Sequence, residues 1–237
     1  MIHYELRDTV SVLVIDRPER RNALDHDALV ALEGGLTRAR DDRSRAIVVM
    51  GSQGHFCAGA DLSGVEDTDF VRGLRRVLLG LHQATVPTIA AVEGAALGAG
   101  TQLAVACDLR VATHDAQFGI PAAKLGLMVD RWTIERLVEV AGESAARAML
   151  LAAEIYRGDA AHGLGMVQRL GAPDAAVAWA HQIAALAPLT ITGHKLGLNR
   201  AAPDEYDQAM ARAWGSHDLQ EGMEAFRERR PPRFHGR

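Results

Sequence analysis

The sequence predicts an α/β fold: a core of buried, largely parallel strands, followed by a helical C-terminal region. Two short apolar runs carry most of this reading. Ala46–Met50 ends at Gly51, and Thr88–Val92 follows Pro87. Both fit strands covered on both faces. Helical patterns lie between such runs, and strands alternating with helices favour parallel pairing. From Asp174 onward the pattern is almost all helical.

Taken in order, Val10–Asp16 reads as a strand stopped by Pro18, and Asp25 offers a cap to the next helix. There Leu29, Leu32, Leu36 and Ala39 fall on one face. After the 46–50 strand a helix is expected over Phe70 to Gln83, and after the 88–92 strand another over about Gly100 to Ala106. Leu109–Ala112 reads as a strand. Helices are expected over Thr133 to Val140 and Glu143 to Ala153. Pro188 and Pro203 then divide the helical remainder. The boundary near Ala187 separates a core of residues 1–187 from a tail of residues 188–237.

The chain has 237 residues, 48% of them hydrophobic and 24% charged, with a net charge of -4. This is a soluble globular composition. It lacks the basic excess of a nucleic-acid binder. Charges at Glu5, Arg7 and Asp8 interrupt what a signal peptide would need to be apolar, and no apolar stretch suits a transmembrane helix. Cys57 and Cys107 form no CxxC pair and suggest no disulfide framework. A reducing, cytoplasmic setting is expected. The ten histidines show no metal-ligand spacing, so they read as surface or satisfied core groups and no metal site is expected. No GxSxG elbow occurs.

Two glycine-rich turns stand out, Gly51–Leu62 and Gly94–Leu103, each following a predicted buried strand. Either alone reads as a tight turn. Together they offer more: small residues admit a ligand close to the backbone, and a helix opening has free amides. Two such turns could aim two N–H groups at one oxygen. Asp130, after the apolar stretch Leu125–Val129, reads by itself as part of a surface turn.

These loops also carry a family resemblance. Phe56-Cys57-Ala58-Gly59-Ala60-Asp61-Leu62 resembles the F-x-A-G-x-D-L segment of the crotonase (enoyl-CoA hydratase/isomerase) superfamily. Ala91–Gly100 resembles its A-x-x-G-x-x-x-G-x-G segment, and Arg17–Leu24 its N-terminal R-P-x-x-x-N-A-L. Cys107–Ala112 and Ala116–Gly119 resemble the two blocks that follow. The resemblance implies a crotonase-type ββα spiral core, with a helical C-terminal region that builds a homotrimer or a dimer of trimers. It implies an acyl-CoA thioester as ligand, with coenzyme A part of that ligand and no separate cofactor. The thioester oxygen would meet two backbone N–H groups, by position those of Ala60 and Ala99. Backbone around Ala58, Ala60 and Leu62 would contact adenine and pantetheine, and Asn22, Ala23 and Leu24 would line the CoA channel. Gly59, Asp61, Gly98 and Pro121 fall in or beside the same segments and are expected at the ligand.

The departures from the family pattern bear on activity. Hydratases of the family carry glutamates at two positions that here are Gln102 and Ala122. Hydrating an enoyl thioester needs a base for water and an acid for the α carbon, each worth ~10²–10⁴-fold. Gln102 and Ala122 supply neither. The family's dehalogenase and dienoyl isomerase branches place a catalytic aspartate where Asp130 stands, and Arg131 and Arg136 are the basic residues near it in sequence. The 126–134 segment and the C-terminal Arg230–Arg237 resemble mycobacterial hydratase-like proteins that lack hydratase activity and bind long-chain acyl-CoA. The expectation is therefore a fatty acyl-CoA-binding protein without hydratase activity. The alternative is an isomerase or hydrolase/dehalogenase-type enzyme using Asp130.

Overall fold

The computed structural model describes residues 1–61 and 68–237. Strand Ile2–Arg7 (β1) runs antiparallel to Val10–Ile15 (β2). A short 3-10 turn at Pro18–Arg20 leads to helix His26–Asp41 (α1), strand Ala46–Gly51 (β3) and helix Thr68–Gln83 (α2). Strands Thr88–Val92 (β4) and Ala95–Leu97 (β5) lead straight into helix Ala99–Ala106 (α3). Strands Leu109–Ala112 (β6) and Gln117–Gly119 (β7) follow, then a 3-10 turn at Pro121–Leu125. Next come helices Arg131–Ala141 (α4) and Glu143–Leu151 (α5), strand Tyr156–Arg157 (β8), helix Gly158–Gly163 (α6) and strand Arg169–Leu170 (β9). Helices Pro173–Ala184 (α7), Pro188–Leu198 (α8), Pro203–Trp214 (α9) and His217–Glu228 (α10) end the chain.

The larger sheet among the described residues has the order β1-β2-β3-β4-β6-β9, parallel from β2 onward. Register sets Val48 beside Ile89, and Ala90 beside Arg110. One face, with Leu13, Ile47, Val49, Ala90 and Val92, packs on α1, α2 and α3. The other, with Val10, Val48, Ile89 and Val111, is covered by Ala176, Val177, Ala180 and Ala184 of α7. Coverage on both faces is why β3 and β4 are uninterrupted apolar runs. The second sheet, β5-β7-β8, stands at the C-terminal end of β4.

Helix bounds follow their caps. Asp25 accepts from Ala28 N–H as expected. Asp130 accepts from Thr133 N–H at 2.9 Å, so α4 begins at Arg131, two residues before the sequence reading. β1 went unforeseen, as did β5, β7, β8 and β9, the last four being two or three residues long and too short for any periodicity to register.

The C-terminal helices are tied to the sheet by polar groups. Lys195 on α8 is buried and donates to Asp108 at 2.7 Å and to the Val86 carbonyl at 2.9 Å. Burial pushes its pKa below the usual lysine value, against the pull of Asp108. Arg45 donates to the carbonyls of Ala184 and Phe234. No single helix among the described residues is long and apolar enough to cross a membrane. Among them, α7 and α8 taken together have the length and the composition, but they are bent by 110°.

Candidate functional site

The two glycine-rich turns meet beyond the C-terminal ends of the neighbouring parallel strands β3 and β4, where open α/β sheets commonly build ligand sites. They are laced together by backbone. Phe56 N–H donates to Glu93, Cys57 N–H to Ala95, and Leu97 N–H to Cys57. A Cβ on Gly100 would come within 2.0 Å of the Cys57 carbonyl oxygen, so only glycine lets α3 sit against this loop. Thr101, fully buried, donates its hydroxyl to the Ala96 carbonyl at 2.6 Å and accepts from Gly119 N–H. It fixes the start of α3 against β5 and β7.

Ala60 and Ala99 face one cavity of about 510 Å³. Ala60 bridges Leu24 in parallel fashion: Leu24 N–H donates to Gly59 and Asp61 N–H to Leu24. The peptide N–H of Ala60 therefore points away from this bridge. Gly98 turns the chain at φ 53°, which favours glycine. Ala99 is then the first helical residue of α3, and its N–H has no acceptor within the helix. Ala99 itself has no positive φ. Its methyl group thus leaves the backbone donor intact.

Ala58, Gly59, Gly98, Gln102, Pro121, Ala122 and Asp130 line the same cavity, together with Arg75 and an apolar row, Phe70, Leu74 and Leu78, of α2. Leu62 lies outside the described residues. Asn22, Ala23, Leu24 and Asp61 are not among the residues that line this cavity. Asn22 is fully buried: it donates to the carbonyls of Ser52 and His55 and accepts from Arg17 N–H. Leu24 is buried in the hydrophobic core. Arg17 pairs with Asp25 at 2.7 Å and with Asp61 at 3.4 Å. These residues hold the first glycine-rich turn in place.

Asp130 is the one carboxylate among the described lining residues, and both its oxygens are taken. Oδ1 caps α4 through Thr133 N–H. Oδ2 pairs with Arg75 of α2 at 2.5 Å. The expected partners, Arg131 and Arg136, are engaged elsewhere: Arg131 with Glu135, Arg136 with the carbonyls of Val105 and Cys107. Nothing in sequence marks Arg75, whose partner is 55 residues away. Thr133 Oγ1 donates to Gln102 Oε1 at 3.0 Å, fixing the Gln102 amide.

Other titratable groups near the site are unsuited to nucleophilic work. Burial pushes the Cys57 thiol up to about 12, and the Cys107 thiol likewise to about 12. His82, edge-on to Trp132, is pushed below the usual histidine value by burial, then by Arg136. Its buried Nδ1 finds no partner among the described residues, unlike the satisfied core histidines expected from sequence. No group of three or more His, Cys, Asp or Glu side chains among the described residues could hold a metal ion.

Comparison with known proteins agrees with this architecture. A family model described as enoyl-CoA hydratase/isomerase matches residues 5–237. A probable enoyl-CoA hydratase echA6 of Mycobacterium tuberculosis is 42% identical over the whole of both chains. A crotonyl-CoA hydratase of Syntrophomonas wolfei is 31% identical, over 97% of this chain and 96% of that one. The crystal structure of an enoyl-CoA hydratase/isomerase family protein from Hyphomonas neptunium superposes with a TM-score of 0.91 at 32% identity, over 100% of this chain and 98% of the other. With its paired turns, parallel sheet and end-to-end match, the chain belongs to the enoyl-CoA hydratase/isomerase family.

Proposed function

We propose that this protein binds fatty acyl-CoA thioesters and does not hydrate enoyl-CoA. The observation that carries the reading is the lining of the cavity: Ala60 and Ala99 both face it, and no carboxylate stands at 102 or 122. The two N–H groups would hold the thioester oxygen, as in an oxyanion hole. The apolar row of α2 would cover the acyl chain. Gln102 has no usable acid–base function, and its carbonyl is occupied by Thr133. Asp130 as an isolated acid–base catalyst, the rival reading, is weakened by its two engaged oxygens. No cofactor beyond the ligand's own coenzyme A is called for, and a reducing cytosol suits the two buried free thiols.

Residues 1–187 would carry the ligand site and residues 188–237 the assembly surface of a homotrimer or a dimer of trimers. Exposed Leu198, Trp214, Met223 and Phe226 on the C-terminal helices support this.

Calorimetric titration with free CoA and a series of saturated acyl-CoA thioesters tests the binding reading. Affinity should exceed that of free CoA and rise with chain length, by up to ~0.8 kcal/mol per buried methylene. Equal affinity for free CoA and every thioester would exclude an acyl site here.

A further inference from the structure

The Arg75–Asp130 pair stands in the wall of the cavity. It spans the gap between α2 and the 121–130 segment. Around it stand Val71, 54% exposed, Leu125, 57%, Leu127, 38%, and Met128, 87%. All four also line the cavity. One apolar surface thus runs from the cavity interior, past an ion pair, to solvent. Large apolar side chains grouped in water usually mark a place that something apolar covers.

Resting on the acyl-CoA reading above, we propose that the Arg75–Asp130 pair is a gate across the acyl end of the cavity. The rim of Val71, Leu125, Leu127 and Met128 receives the far end of an acyl chain too long for the closed cavity. The occupant is an alkyl chain because the rim is continuous with the cavity, so a group entering from inside covers both. Opening is cheap: the Arg75 side chain is 52% exposed and that of Asp130 32%, and pairs so open to water contribute little. It is also local. When Oδ2 releases Arg75, Oδ1 still caps α4 through Thr133 N–H. A short chain ends inside and leaves the gate shut. A long chain must part it.

The test is calorimetric binding of hexanoyl-CoA and palmitoyl-CoA to wild type and three variants, with light scattering on each. Arg75→Met removes one charge and keeps an apolar stem. Asp130→Asn removes the other, and Asn caps a helix as well as Asp does. Leu127→Ser/Met128→Ser makes the rim polar. Both gate variants should bind palmitoyl-CoA about threefold to fivefold more tightly, the size of a partly exposed ion pair, with hexanoyl-CoA unchanged. The rim variant should lose about tenfold or more for palmitoyl-CoA, as two or three methylenes lose cover at roughly fourfold each, again sparing hexanoyl-CoA. Its assembly should be unchanged. Gate variants that shift both thioesters equally, or neither, would overturn the gate while leaving the acyl-CoA reading intact. So would a rim variant blind to chain length. A rim variant that changes oligomeric state would assign the rim to a contact between copies of this chain. Wild type that binds neither thioester would remove the acyl-CoA reading, and the gate with it.

Discussion

Asn22 holds a left-handed conformation, φ 60°, with its side chain fully enclosed. Its amide joins the Arg17 turn to the carbonyls of Ser52 and His55 at the end of β3. Replacing it with alanine leaves buried carbonyls unpaired and keeps the strained φ. Asn22→Ala should therefore cost about 2–4 kcal/mol of stability in urea unfolding, and the acyl-CoA site should loosen with it. A stability loss within 0.5 kcal/mol, the ordinary scale of a surface change, would show that the turn holds without this residue. At this scale the sequence was partly legible. The motif around Asn22 marked an important residue, but motif position alone does not distinguish a side chain that touches a ligand from one that supports the loop that does. Arg75 was invisible for a different reason. Its pairing with Asp130 depends on how α2 crosses the 121–130 segment, and no local pattern encodes that crossing.

Element by element, burial on both faces made β3 and β4 readable, and Asp25 marked the start of α1. The C-terminal tail was less so. Lys195, a charged residue on a helix, reads as solvent-facing, yet it is buried against Asp108 because α8 docks over the start of β4 and β6. Beyond α10, the last residues are held by carboxylates. Glu221 accepts from Arg230 and from Arg233 N–H, which together lower its pKa from 4.5 to about 2. A depressed carboxylate contributes stability that is fully present above its unfolded pKa and lost as pH falls through the folded one. The tail contact should therefore weaken between pH 4.5 and about 2. Amide exchange at Arg233 is the readout: protection should fall across that window in wild type, and Glu221→Gln should show no such transition. Acid-dependent exchange at Arg233 persisting in Glu221→Gln would place its cause elsewhere.

For the whole molecule, the order of motifs along the chain carried the fold, since each block lies where the sheet brings its loops together. Assembly is less visible in sequence, because helical apolar residues look alike whether they face a core or a partner. Leu198, Trp214 and Phe226 are 82%, 72% and 83% exposed in the single chain. Light scattering at micromolar concentration should give the mass of a trimer or of two trimers, and a stable monomer would contradict that assignment.

The central claim is that this member of the family holds an acyl-CoA thioester without the groups that add water to it. Incubating the protein with saturating crotonyl-CoA and following the enoyl absorbance tests this most directly, with binding verified by calorimetry on the same sample. The expected result is heat of binding and an absorbance that stays constant, because neither Gln102 nor Ala122 can activate water or deliver a proton. Loss of the enoyl band at an ordinary enzyme rate, about ten turnovers per second, would contradict it.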